Sequence, residues 1–220
     1  MNARAGPEAP RLPARPERVE ASDLEAGEEL EQAELVGEDL SLASLAPLDL
    51  SGCCLSDVRL TAAHLEGSTW RDVRATGCEL SGADLSHSRW KRVELVNCRM
   101  SGLTISDARL EDVSVTDCRL DEASFRFSVA ERIAFSECVL NDADFTGARL
   151  VEASLRRCDL RSAQLSKADF SGADLGGTQL EGVKGAASLR GVRIEIDQIM
   201  PLALGLFAEL GIVVEDLGER

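Results

Sequence analysis

The chain has 220 residues and a formal net charge of −15, with 39 acidic and 24 basic residues. An acidic surplus of this size argues against direct binding of nucleic acid, which needs a basic surface. The apolar run at residues 199–208 is too short to span a bilayer, so we expect no membrane contact. The first twenty residues lack the apolar core of a secretory signal. Together with cysteines that we interpret as free thiols, this predicts a cytoplasmic protein.

The N-terminal forty residues divide into two parts. Residues 1–20 hold four of the six prolines together with alanine and arginine, a composition that buries too little apolar surface to fold, so we predict a disordered leader. Residues 21–40 are strongly acidic and contain regularly spaced leucines. Two interpretations remain open for them. They form either a short helix capped by Ser22 or Asp23, or an irregular first coil that covers one end of the repeat structure described next.

A five-residue rhythm governs residues 41–185. From Leu55 to Leu180, a large apolar residue falls on nearly every position whose number is a multiple of five, and a smaller residue lies two positions before each. This period fits neither the 3.6 residues of a helical turn nor the alternation of a strand. Side chains two positions apart do share one face of a strand. Each unit is therefore predicted to be a three-residue strand with both ends inward, followed by a two-residue corner.

A second period, of twenty residues, sets the number of sides. Five cysteines recur at this interval, namely Cys78, Cys98, Cys118, Cys138 and Cys158. Four five-residue units therefore close one coil, and stacked coils pair at the ordinary strand spacing of about 4.8 Å. The sequence thus predicts an all-β solenoid with four sides and a dry interior, as expected for short repeats that cannot bury a face alone.

Units such as Ser-Gly-Ala-Asp-Leu, which occurs at residues 81–85 and again at residues 171–175, resemble those of the pentapeptide-repeat family. The resemblance covers about two thirds of the chain. It implies a right-handed quadrilateral β-helix, and it is far less specific for function.

The stacked cysteines favour neither a disulfide nor a metal site. Their β-carbons would lie about one strand spacing apart, which exceeds the usual disulfide separation of about 3.8 Å. A straight column also lacks the tetrahedral convergence that zinc requires. We interpret these cysteines as small buried hydrophobes and predict no cofactor. Cys54 lies at an outward position and is predicted to be the most exposed thiol.

Two places along the repeats are irregular. Trp70 and Trp90 are twenty residues apart and should stack in one column, either as buried core or as exposed anchors for a partner. Ala130 underfills its inward slot, while Phe127 and Val129 fall on outward positions. The latter two residues either form an apolar patch that binds a partner, or belong to a bulge that folds Phe127 back over the gap left by Ala130.

Residues 186–220 leave the rhythm and are predicted to form a cap with a helix over residues 197–210, with Gly211 just past its end. This helix is apolar nearly all round, so it must be buried on more than one side. We expect one side to close the β-helix and the other to join two copies into a homodimer through Met200, Leu204 and Phe207. A short strand is expected at residues 212–214.

The segment 187–198 resembles the C-terminal tail of mycobacterial pentapeptide-repeat members that confer fluoroquinolone resistance by imitating DNA at gyrase. In those members the C-terminal helix joins two β-helices end to end. The resemblance implies a dimeric DNA mimic that binds DNA gyrase or another topoisomerase. The unbroken repeats depart from the plasmid-borne members with projecting loops, so a mechanism that depends on such loops is not implied.

Acidic side chains along two neighbouring corners are the candidate site for such a partner. Asp117 and Glu137 lie along one corner, and Asp121, Glu122 and Asp142 along the next. These residues form either a phosphate-like ridge, which a DNA-binding enzyme could grip, or a solvated face of mixed charge.

The sequence contains no residue constellation typical of catalysis. His64 and His87 are its only histidines, and neither has a plausible nucleophile and orienting acid beside it. We therefore predict a protein that is not an enzyme. The alternative to the DNA mimic is a generic scaffold whose protein partner binds near Phe127 and the tryptophan column.

Overall fold

A computed structural model describes residues 6–212. The expected strand at 212–214 lies outside this range except for Ile212. The ten strands are β1 (Glu17–Arg18), β2 (Glu29–Glu31), β3 (Ala33–Val36), β4 (Asp49–Ser51), β5 (Cys54–Ser56), β6 (Thr69–Thr76), β7 (Arg89–Val96), β8 (Arg109–Thr116), β9 (Val129–Ser136) and β10 (Ser154–Arg156). All of them pair in parallel. They form about seven turns of a right-handed quadrilateral β-helix, which confirms the predicted fold.

The twenty-residue period appears directly in the strand register. Trp70 pairs with Trp90, and Val93 pairs with Val113. Strands β6 to β9 are eight residues long because each continues around one corner, whereas most other sides are linked only by single bridges. Each coil therefore places its side chains directly above those of the coil before it.

The inward positions fill the tube with stacked side chains. Trp70 and Trp90 are buried and lie face to face, with ring centroids 4.9 Å apart and planes 6° apart. Phe145 is fully buried, stacks on Phe125 at 4.9 Å and meets Phe170 edge-on at 5.7 Å. The tryptophan column is therefore core and not an exposed anchor. The five stacked cysteines are buried free thiols, and Cys54 is half-buried.

The corners explain the small and polar residues of the repeat. The second residue of nearly every corner adopts a positive φ, as at Asp112 (56°), Phe127 (55°) and Gly147 (69°). Glycine, Asn and Asp tolerate this left-handed region best. Gly147 also leaves room for its neighbour, since a β-carbon there would lie 2.5 Å from the Cδ1 atom of Phe127.

The N-terminal region differs from the expected disordered leader. Residues 6–16, which we call the strap, lie along one corner of the tube, and the chain then enters β1, which pairs with β3. Backbone N–H groups of the strap donate hydrogen bonds to side chains of the tube, and composition does not reveal these contacts. Within residues 21–40 the structure has a 3₁₀ turn at Ala21–Asp23 and then the first coil, not the alternative helix. Leu30, Leu35 and Leu40 are buried in that coil.

The C-terminal cap consists of a 3₁₀ turn at Ile196–Gln198 and helix α1 (Ile199–Glu209), so the helix begins two residues later than predicted. Buried Gln198 fixes the cap, because its amide donates to the backbone oxygens of Leu175 and Thr178 in the last coil. Gly211 ends the helix with a φ of 67°. No helix within residues 6–212 is long and apolar enough to cross a membrane.

Candidate interaction surfaces

The predicted acidic ridge occupies two adjacent corners of neighbouring coils. Asp117 and Glu137 are both exposed at the second position of one corner, one coil apart. Glu122 and Asp142 are exposed at the second position of the next corner, with half-buried Asp121 beside them. Equivalent residues of adjacent coils are about 4.8 Å apart. The repeat geometry therefore brings all five predicted carboxylates to one side of the tube.

Nearby arginines partly neutralise this ridge. The Nη2 atom of Arg157 lies 2.7 Å from the Oε1 atom of Glu137, and the Nε atom of Arg119 lies 3.7 Å from the Oδ1 atom of Asp121. Within the part of the chain that the structure describes, Asp117, Glu122 and Asp142 form no ion pair. The carboxylates and arginines of this side are thus interspersed, and the two interpretations of the ridge remain predictions. Among the described residues, three of the five ridge carboxylates are free of ion pairs, and the other two are paired with arginines.

A column of arginines lies on the opposite side of the tube. Arg89, Arg109 and Arg149 are exposed in one column, half a coil away from the ridge. They are interrupted only by Val129. The corners beside this column also carry exposed acids, Glu66, Asp107 and Glu131, so this side of the tube is mixed in charge.

Phe127 and Val129 remain at the surface, 51% and 39% exposed. The prediction that Phe127 folds back over Ala130 is wrong, because Phe127 keeps the regular corner backbone with a φ of 55° and its ring packs on Gly147. The Arg126 guanidinium lies 5.4 Å above the same ring. Phe127 and Val129 therefore form a small exposed apolar patch bordered by arginines.

Sequence reasoning missed a ladder of alternating charge at a third corner. It consists of Asp72, Arg92, Asp112 and Arg132, each one coil above the last. The Nε and Nη2 atoms of Arg92 each donate a hydrogen bond of 2.6 Å to the carboxylate of Asp72. Arg132 makes the same bidentate contact with Asp112, at 2.6 and 2.8 Å. Such paired bonds are strong and orient both groups.

Three of the four residues of this charge ladder are buried, whereas the side chain of Arg132 is 40% exposed. Asp112 is 2% exposed, and Asp72 and Arg92 are also buried. The hydrogen bond from Arg132 and a further one from the backbone of Glu8 lower the pKa of Asp112. Arg92 and then the backbone of Arg11 do the same for the pKa of Asp72, although burial opposes them. Alternating Asp and Arg at intervals of twenty residues was the sequence signal that could have revealed the ladder.

Helix α1 separates its apolar side chains between two surfaces. Leu202 and Leu206 pack against the core of the tube. The residues predicted to join two copies face outward, with Met200 67%, Leu204 56% and Phe207 38% exposed. Glu209 anchors the helix, since its carboxylate accepts the backbone N–H of Ala186 at 2.6 Å. The outer face of α1 is therefore apolar and firmly held.

The described residues contain no group of three or more metal-ligating side chains. His64 and His87 are both exposed, and the nearest acid to His87 is Glu66, with its Oε1 atom 3.7 Å from the His87 Nε2 atom.

A parallel coil with four five-residue sides defines a β-solenoid built from five-residue repeats. The profile described as "Pentapeptide repeats (8 copies)" matches residues 29–61, 53–89 and 148–184. The profile described as "Pentapeptide repeat region" matches residues 72–145 and 88–165. Together these matches span well over half of the chain, so the chain belongs to the pentapeptide-repeat family.

Two of the solved structures that are similar to this chain are HetL and QnrB1. HetL, involved in heterocyst differentiation regulation in the cyanobacterium Nostoc sp. strain PCC 7120, is 25% identical, with 74% of this chain and 78% of HetL covered and a TM-score of 0.45. A trypsin-treated form of QnrB1, a plasmid-mediated fluoroquinolone resistance protein, is 25% identical, with 90% and 95% covered and a TM-score of 0.42. No curated protein matches the chain. The family assignment rests on the profiles.

Proposed function

We propose that this protein is a non-enzymatic interaction protein, dimeric through α1, whose acidic ridge occupies the DNA-binding surface of DNA gyrase or another topoisomerase. The observation that carries the proposal is the set of five carboxylates on two adjacent corners, three of them free of ion pairs within residues 6–212. Such carboxylates, held on a rigid tube, offer a partner fixed negative charge in place of phosphates.

The local charge density suits this role better than the net charge does. Duplex DNA carries about one charge per 1.7 Å of its axis, hence roughly six over the ~10 Å that two coils and their side chains cover. The ridge presents five carboxylates over the same length, and two of them are shared with arginines. Imitation of DNA would therefore be confined to this ridge.

The proposed dimer extends the ridge. Exposed apolar faces such as the outer face of α1 mark protein interaction sites. A groove lined by Val183, Pro201, Leu204 and Gly205 lies beside the helix. A second copy seated there by a two-fold axis would place the two tubes end to end, so that the dimer carries two ridges.

The proposal is tested by titrating the protein into a supercoiling reaction of purified gyrase. We expect the wild-type protein to inhibit supercoiling at micromolar concentration. The variant D117K/D121K/D142K should lose at least about tenfold in potency, because a repulsive charge pair at a contact costs more than 1.4 kcal/mol, a factor of ten. Lysine fits these corners, since Lys167 occupies one with a φ of 60°.

A matched control has the same change of net charge away from the ridge. E66K/D107K/E131K alters three other exposed acids and should inhibit as the wild type does. Equal loss of potency in both triple variants would mean that inhibition depends on net charge and not on the ridge. The absence of inhibition by the wild-type protein at high micromolar concentration would remove gyrase as the partner.

The exposed patch of Phe127 and Val129 favours a second candidate, a scaffold that binds an apolar partner surface. This function would survive the charge reversals at the ridge and be lost in F127S/V129S.

A further inference from the structure

The strap contains regularly spaced prolines, which have no role in the proposed function. Its prolines are Pro7, Pro10, Pro13 and Pro16, an interval of three residues throughout. All four are half-buried, as is Leu12, whereas Glu8, Ala9, Arg11, Ala14 and Arg15 between them are exposed. A polyproline II helix has three residues per turn, so one of its edges would carry Pro7, Pro10 and Pro13, before the chain bends at Ala14 and Arg15. The pattern of burial indicates that this edge faces the tube.

The sequence restricts most of the strap to this conformation. Proline fixes its own φ near −65°, and the residue before a proline is pushed into the extended or polyproline II region. In a Pro-x-x-Pro series, this leaves only one residue in three unrestricted. Those residues here are Glu8, Arg11 and Ala14. A polyproline II helix forms no internal backbone hydrogen bonds, so their N–H groups are available to a receptor.

Two of these N–H groups bind the charge ladder. The backbone N–H of Glu8 donates to the Oδ1 atom of Asp112 at 3.1 Å, and that of Arg11 donates to the Oδ1 atom of Asp72 at 2.9 Å. Three residues of polyproline II advance about 9.3 Å. Asp112 and Asp72 are two coils apart, which is about 9.6 Å at strand spacing. The rise of the strap thus matches the spacing of its acceptors.

The acceptors are held in place by the tube and not by the strap. Arg92 and Arg132 each bind their aspartate through two hydrogen bonds, leaving Asp72 and Asp112 oriented toward the corner. The side chains of Glu8 and Arg11 point to solvent and contact each other at 3.3 Å. The two hydrogen bonds to the corner are therefore made by backbone N–H groups, and the side chains at the donor positions take no part in them.

We propose that the charge-ladder corner is a docking site for proline-rich segments in the polyproline II conformation, with a free N–H at every third residue. Residues 7–13 occupy this site as a ligand from the same chain. A Pro-x-x-Pro-x-x-Pro segment of a partner protein binds there when the strap is displaced. Attachment to the chain gives the strap an effective concentration on the order of millimolar, so a partner segment must compete with it. The site is separate from the acidic ridge.

The test uses full-length chains and a dye-labelled peptide with the sequence of residues 6–16. The variant E8P/R11P removes both N–H donors, keeps the polyproline conformation and leaves the tube untouched. We expect the peptide to bind this chain at least about tenfold more tightly than the wild type, since each lost bond to a charged acceptor weakens the strap by about that factor. Fluorescence anisotropy measures the affinities.

The matched control is E8A/R11A, which removes the same side chains but keeps both N–H donors and should bind the peptide as weakly as the wild type. A peptide with proline at positions 8 and 11 should bind none of the chains. Equal affinity for all three chains, or no binding to E8P/R11P, would overturn the proposal.

Discussion

Replacing Phe145 by alanine is expected to lower the free energy of unfolding by about 3 to 5 kcal/mol. Its ring is fully buried and is held between Phe125 at 4.9 Å and Phe170 at 5.7 Å. The neighbouring coils are fixed by backbone hydrogen bonds on every side and cannot close around the cavity. The loss should therefore lie at the high end for a large-to-small change. A reversible denaturant titration measures it.

Phe127→Ala is the matched control, because it removes the same atoms from a half-exposed ring on the corner. We expect it to cost less than about 1 kcal/mol, as surface changes usually do. Equal losses in the two variants would mean that Phe145 does not fill the tube and that the inward register is wrong.

Phe207→Glu is expected to convert a dimer into a monomer, halving the mass measured by light scattering. Phe207 lies with Met200 and Leu204 on the outer face of α1, and a charge buried in that interface would have no partner. The helix itself should persist, because Leu202 and Leu206 hold it on the tube from the other side. The change thus acts on association and not on folding.

Val129→Glu serves as the control, since it places the same charge on an equally exposed apolar residue far from α1. This variant should keep the mass of the wild-type protein. A monomeric wild-type protein, or an unchanged mass for Phe207→Glu, would contradict the proposed dimer.

The fold of the tube could be predicted because it depends on a short repeat in the sequence. A residue two positions before each multiple of five shares the face of that residue, and the recurrence of Cys78 at Cys98 fixes the coil at twenty residues. Corner residues such as Asp117 and Glu122 follow from the same count. Their exposure could be read from position alone, without knowing any side-chain conformation.

The strap and the ion pairs could not be read in this way. The prediction of disorder for residues 6–16 considered only how much apolar surface they could bury. Their order depends instead on Asp72 and Asp112, which lie more than sixty positions further along the chain from Arg11 and Glu8. Pairing of Arg157 with Glu137 likewise depends on how a long side chain reaches one coil down, which the repeat does not determine.

The central claim, that the acidic ridge takes the place of DNA on gyrase, is tested most directly by competition. A fluorescent duplex is bound to purified gyrase, and this protein is added while the anisotropy of the duplex is recorded. The account predicts that the wild-type protein displaces the duplex and that D117K/D121K/D142K does not. Binding of the protein to gyrase while the duplex remains bound would contradict it.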